Sequence, residues 1–229
     1  MTDPAADAAD PAASLVADMI AIGRAAVAAG LVVGSGGNLS ARVPGGATFW
    51  VTHAGTWLDR LRAKDFAEVA VDDGAVRSGT PSTELALHLA TYRVRPDVNA
   101  IVHLHPQTAV LLDALGERIR LITTDHAFYL RRVARVPFFP PNTRELAQAA
   151  AAAVADGTNC VILAHHGCSV LGPDLAMAYR RASNLEEAAR LTYRALALTG
   201  GLPDASIPEC PWDLPGLDRP GRTPGADLI

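Results

Sequence analysis

The period of the apolar positions changes repeatedly along the chain, and each change marks an element. Leu15, Met19, Ile22 and Ala26 recur at helical spacing, which predicts a helix from a Ser14 cap to Ala29, stopped by Gly30. The glycine-dense run 30–37 leads into short strands at 41–43 and 48–52. Runs 68–71 and 75–77 flank Asp72-Asp73-Gly74, a hairpin signal. A helix opens at Pro81-Ser82-Thr83-Glu84, continues to about Arg93 and is ended by Pro96. Residues 97–101 read as a strand entering the core, followed by a helix over 108–115. Strands are expected near 121–124 and 133–137, with the segment between them unassigned. An alanine-rich helix runs from Thr143 to Ala155, apolar strands cover 159–164 and 169–171, and a long helix covers 174–198.

Helices and strands interleave without an internal repeat, so the class is α/β or α+β in a layered sandwich. Residues 13–200 form the domain. Residues 1–12, acidic and Ala/Pro-rich, are expected to be a disordered tail, and 201–229 an irregular Pro/Gly-rich one.

Composition narrows the function classes. With 49% hydrophobic and 19% charged residues among 229, the chain reads as one soluble globular domain with a good core. A net charge of -4 without a basic cluster argues against nucleic acid and against an anionic membrane surface. No uninterrupted apolar run reaches the ~18 residues of a membrane span, and the N-terminus lacks the basic start of a secretory signal. Cys160, Cys168 and Cys210 are odd in number and have no Cys-x-x-Cys spacing, which fits a reducing cytoplasm.

Candidate chemistry concentrates at strand ends. His103 and His105, in Ile101-Val102-His103-Leu104-His105-Pro106, are two apart, so a strand projects both from one face within about 7 Å. Alone, the pair is either two core histidines or half of a metal site. The apolar strand Val161-Ile162-Leu163-Ala164 delivers His165 and His166 in the same way, and open sheets place ligands at such ends. Three histidines with an open position make a catalytic zinc site, with Cys168 a competing soft ligand. Glu84, at a helix start, is either a capping carboxylate or a general base facing that metal. Ser35 to Asn38, Ser82-Thr83, and Thr52 with Gly55 offer amides and hydroxyls suited to an anion.

Gly37-Asn38-Leu39-Ser40-Ala41-Arg42, Thr52-His53-Ala54-Gly55, Pro81-Ser82-Thr83-Glu84, His103-Leu104-His105-Pro106 and His166-Gly167 occur in the order and spacing of the class II aldolase/adducin family. Over about 14–200 the chain resembles that family's L-fuculose-1-phosphate aldolase branch. The resemblance implies a three-layer α/β/α sandwich around a largely antiparallel sheet, and a homotetramer with active sites at subunit interfaces. It implies Zn2+ (or Mn2+ or Co2+) on His103, His105, His166 and Glu84, with Glu84 also the proton-transfer group. Gly37, Asn38, Thr52, Gly55, Ser82 and Thr83 would hold the phosphate of a small sugar phosphate. The reaction implied is aldol cleavage through a metal-stabilised enediolate. Related branches epimerise pentulose 5-phosphates or decarboxylate four-carbon acid phosphates, and adducin-type members are scaffolds that lack the zinc histidines, which this chain keeps.

Some positions depart from the family pattern. His53-Ala54 replaces the middle of a turn that often reads Thr-Pro-Ser/Thr-Gly. The aldolases' tyrosine proton donor falls near Thr123-Thr124, leaving Tyr129, Asp125 or His126 as substitutes. Phe128 occupies the position of the epimerases' aspartate.

Overall fold

The computed structural model describes residues 11–200 and 207–210. Eight strands form one sheet: β1 Asn38–Ala41, β2 Thr48–Thr52, β3 Phe66–Ala70, β4 Val76–Ser78, β5 Ala100–Leu104, β6 Val133–Val136, β7 Cys160–Leu163 and β8 Gly167–Gly172. Among the described residues six α-helices accompany them: α1 Pro11–Ala28, α2 Leu85–Val94, α3 Gln107–Ala114, α4 Thr124–Leu130, α5 Arg144–Val154 and α6 Leu175–Leu198. The sheet order is β4-β3-β2-β1-β5-β8-β7-β6, and every pairing is antiparallel except β6 with β7.

Alternation along the strands divides the core in two. Val102 and Leu104 of β5, Leu39 of β1 and Val170 of β8 pack with Met19 of α1, Leu112 of α3 and Leu185 of α6. Ile101, Val51, Val161 and Leu171 point the other way, onto Leu87 and Tyr92 of α2 and Leu146 and Val154 of α5. Helices therefore cover both faces, which is the three-layer α/β/α sandwich expected of the sequence. His103 and Ser40 lie on the α2 face because they are two residues from Ile101 and Asn38 respectively.

Local signals account for most boundaries. Thr143 and Asp174 cap α5 and α6, accepting from the N–H groups of Leu146 and Met177. The Asp72-Asp73-Gly74 turn joins β3 to β4, with Gly74 at φ 75°. Two expectations need correction. No strand forms near 121–124; Thr123 instead caps α4 in a reciprocal capping box with His126. An apolar Leu121-Ile122 pair is too short to separate strand from loop, and histidine is an unusual third residue for that box. Ser14 is not a cap either: α1 already runs from Pro11, so residues 11–12 of the tail expected at 1–12 are helical, while 1–10 and most of the tail expected at 201–229 lie outside the described residues.

By length and composition α1 could cross a bilayer, although Asp18 and Arg24 interrupt its apolar run. In the fold its Val16, Met19, Gly23 and Ala26 are buried, and Gly23 passes against the Leu58 carbonyl.

Candidate metal centre

Four side chains converge at the end of β5. His103 Nε2 lies 3.1 Å from His105 Nε2 and 3.0 Å from Glu84 Oε2, while His166 Nε2 lies 3.3 Å from Glu84 Oε1. Their donor atoms all fall within 4.8 Å of one another. The three rings sit about their common point with centroids 4.9–5.0 Å apart. β5 supplies His103 from the middle of the sheet and His105 one residue past the strand, Glu84 stands at the head of α2, and His166 comes from the β7–β8 turn.

The donor set suits a divalent cation. Burial, with the charge of His103, pushes the His105 ring down to about 4 and lowers His166 as well, so both are held neutral, the form that binds metal. Burial alone would raise the Glu84 carboxyl, but the charge and hydrogen bond of His103, with help from His166 and Asn38, hold it well below the usual carboxylate range. Glu84 Oε1 is buried and accepts no hydrogen bond. A buried carboxylate gathered with three imidazoles within 4.8 Å is the arrangement that a cation satisfies.

Behind Glu84 runs a line of buried polar groups. Asn38 Nδ2 donates to Glu84 Oε2 at 2.9 Å, and Asn38 Oδ1 meets His88 Nε2 at 2.5 Å. His88 Nδ1 meets Ser40 Oγ at 2.6 Å, and Ser40 Oγ meets Tyr92 Oη at 2.9 Å. Leaving one of these groups facing a like group would cost about 1–3 kcal/mol.

Close approaches of backbone present the histidines. Gly37 has φ 73°, and a side chain there would run into the His103 carbonyl at 2.7 Å. At Gly167 a Cβ would strike the Leu104 carbonyl and come within 2.6 Å of His105 Cδ2. His165 adopts φ 57°, and its N–H donates to Asp113 Oδ2 at 3.2 Å, which pins the turn carrying His166 to α3.

A cavity of about 200 Å³ opens beside Glu84, His105 and His166 and is lined by Gly37, Asn38, Gly55, Ser82, Thr83, His53 and Asn142, among others. Five of the six residues expected at a phosphate therefore meet in one place. Thr52 does not line it: its hydroxyl is fully buried and accepts from the Leu39 N–H, joining β1 to β2. Ser82 Oγ accepts from the Glu84 N–H, and the Ser82 N–H donates to the Thr52 carbonyl, so the anion turn is tied to the sheet. A larger hollow of about 280 Å³ lies beside Asp113, Arg118, Arg135 and Glu209; there Arg118 pairs with Glu209, and Arg135 with Asp113.

Other candidates fall elsewhere. Cys168 is fully buried among the core residues on the opposite face of the sheet, and burial raises its thiol beyond the usual range, so it is no competing ligand. His126 is fixed in the α4 cap with Glu187 3.8 Å away, and Tyr129 lies beneath the Arg180 guanidinium. Neither they nor Asp125 line the cavity beside Glu84, His105 and His166. His88 and Tyr92 were not singled out in the sequence. Their signal was present, since Glu84, His88 and Tyr92 recur every four residues along one helical face.

The sequence profile of the Class II Aldolase and Adducin N-terminal domain matches residues 17–193. The chain is 38% identical to an L-fuculose phosphate aldolase of Methanocaldococcus jannaschii over 161 residues, 70% of this chain and 86% of that one. It is 33% identical to a 3-oxo-tetronate 4-phosphate decarboxylase of Escherichia coli over 185 residues, 79% of this chain and 86% of the relative. The crystal structure of L-fuculose-1-phosphate aldolase from Thermus thermophilus superposes with a TM-score of 0.74 at 30% identity, covering 83% of this chain and 98% of that one.

Proposed function

The chain belongs to the class II aldolase and adducin family, and on that premise we propose that it is a zinc-dependent lyase. It cleaves or forms a carbon–carbon bond in a small ketose phosphate. The observation that carries this reading is the meeting of Glu84, His103, His105 and His166 within 4.8 Å at the mouth of a polar cavity.

Zinc bound there would supply Lewis acidity, drawing negative charge onto the oxygens of the substrate as the bond breaks. Ser82 and Thr83 at the head of α2, with the backbone at Gly37 and Gly55, would hold the phosphate. Asn38 and Thr52 would support them from behind. Phosphate held away from the reacting carbons contributes binding energy that orients those carbons. In cleavage the hydroxyl on the far carbon gives up its proton as it becomes the aldehyde carbonyl. The electron pair of the broken carbon–carbon bond stays with the ketose fragment as an enediolate. Protonated Glu84 would deliver one proton to that carbon, so that no net proton is gained or lost. In synthesis Glu84 removes the same proton. The reading includes a cytoplasmic homotetramer with sites at subunit interfaces. Exposed Leu111, Leu115 and Phe138 suit such contacts.

A second reading, decarboxylation of a four-carbon acid phosphate, has its own support. Aldol cleavage must take a proton from the hydroxyl that becomes the aldehyde, and Tyr129, Asp125 and His126 do not line the cavity to handle it; a carboxylate leaves as carbon dioxide with no such proton to remove. The test is a screen of ketose 1-phosphates, their non-phosphorylated analogues and 3-oxo-tetronate 4-phosphate, with metal content measured on the same sample. Aldehyde release from a ketose 1-phosphate by zinc-loaded protein is expected. Carbon dioxide release alone would favour the second reading, and no turnover of any of them by metal-loaded protein would overturn both.

A further inference from the structure

The line of polar groups behind Glu84 has one consistent direction. Because Asn38 Nδ2 donates to Glu84 Oε2, its Oδ1 must face His88 Nε2. Two bare acceptors cannot meet there, so Nε2 carries the ring proton. Nδ1 is then bare, Ser40 donates to it, and Tyr92 donates to Ser40. Reversing any link sets lone pair against lone pair. Ser40, His88 and Tyr92 are all at most 2% exposed, so water is not available to repair a reversed link. Burial and the charge of His103 push His88 down to about 3, against the pull of Glu84, and burial raises the Tyr92 hydroxyl. Both therefore stay in the form the chain requires.

We propose that His88 is a positioning residue that fixes the Asn38 amide with its N–H toward Glu84. This rests on the reading of Glu84 as the proton-transfer group. With Oε2 capped by Asn38, Oε1 is the oxygen left for the substrate proton. An amide does not pass protons, so the chain orients Glu84 and does not conduct to it. Without His88 the amide is free to turn over and set Oδ1 against the carboxylate.

Two experiments test this. The first is 15N NMR of the ring in the full chain, which reads the tautomer with no need for turnover. Nε2 protonated and Nδ1 bare are expected; the opposite tautomer overturns the proposal. The second compares His88→Leu, Asn38→Ala and the double variant. His88→Leu should lower kcat about 10–100-fold with little change in KM, the range typical of groups that orient metal-site ligands. His88→Gln, which keeps a donor, should recover part of the loss. The double variant should fall no further than Asn38→Ala alone; additive losses overturn the proposal. The expected tautomer in a protein that turns over no substrate would count against the lyase reading while leaving the positioning role supported.

Discussion

Glu84 Oε2 and His103 Nε2 lie 3.0 Å apart, one from the head of α2 and the other from near the end of β5, inside the sheet. That contact joins the layer above the sheet to the sheet itself. It does so at a buried carboxylate, which stays ionised only because histidines and the Asn38 amide surround it. A group in that position can hold a cation and also hand over a proton.

Glu84→Gln separates the two roles. Glutamine keeps a coordinating oxygen but cannot act as a base, so metal should remain partly bound while activity falls about 10²–10⁴-fold. Exchange of the enediolate proton with solvent, followed by deuterium incorporation, should vanish. Retained exchange would remove Glu84 from the proton transfer.

Gly167→Ala should damage the site without touching a ligand. The added methyl would meet the Leu104 carbonyl and the His105 ring. Overpacking of this kind costs about 1–3 kcal/mol, and the ring that moves belongs to the proposed metal site. Thermal denaturation and zinc titration should therefore show a lower Tm together with weaker metal binding.

Acid should destabilise the fold through His88. Its folded pKa, about 3, lies below its ordinary value of 6.5. Between those values the unfolded chain holds one more proton, so unfolding free energy rises with pH across the window. The contribution is complete above 6.5 and is lost as pH falls toward 3. The slope is at most about 1.4 kcal/mol per pH unit. Urea unfolding of His88→Gln should show that slope removed, and an unchanged slope would contradict the account.

Much of this was readable in the chain, for identifiable reasons. β2 falls on the residues expected, because Thr48–Thr52 is a β-rich run bounded by turn residues. His103 and His105 share a face as their spacing requires, and Glu84 and His166 join them. Two kinds of information were not local. The 121–130 segment turns on a cap between Thr123 and His126 that carries no standard signature. The side chain of Thr52 depends on β1 lying beside β2, so its hydroxyl is spent on Leu39 and not offered to the cavity. The same dependence hid His88, whose partners Asn38 and Ser40 sit on a strand some fifty residues earlier.

The central claim is that Glu84, His103, His105 and His166 form one metal site, and zinc titration of the metal-depleted protein tests it most directly. About one zinc per chain should bind in the wild type, and binding should be lost in His103→Ala. Wild-type protein that takes up no metal, or His103→Ala that binds as tightly as wild type, would contradict the account.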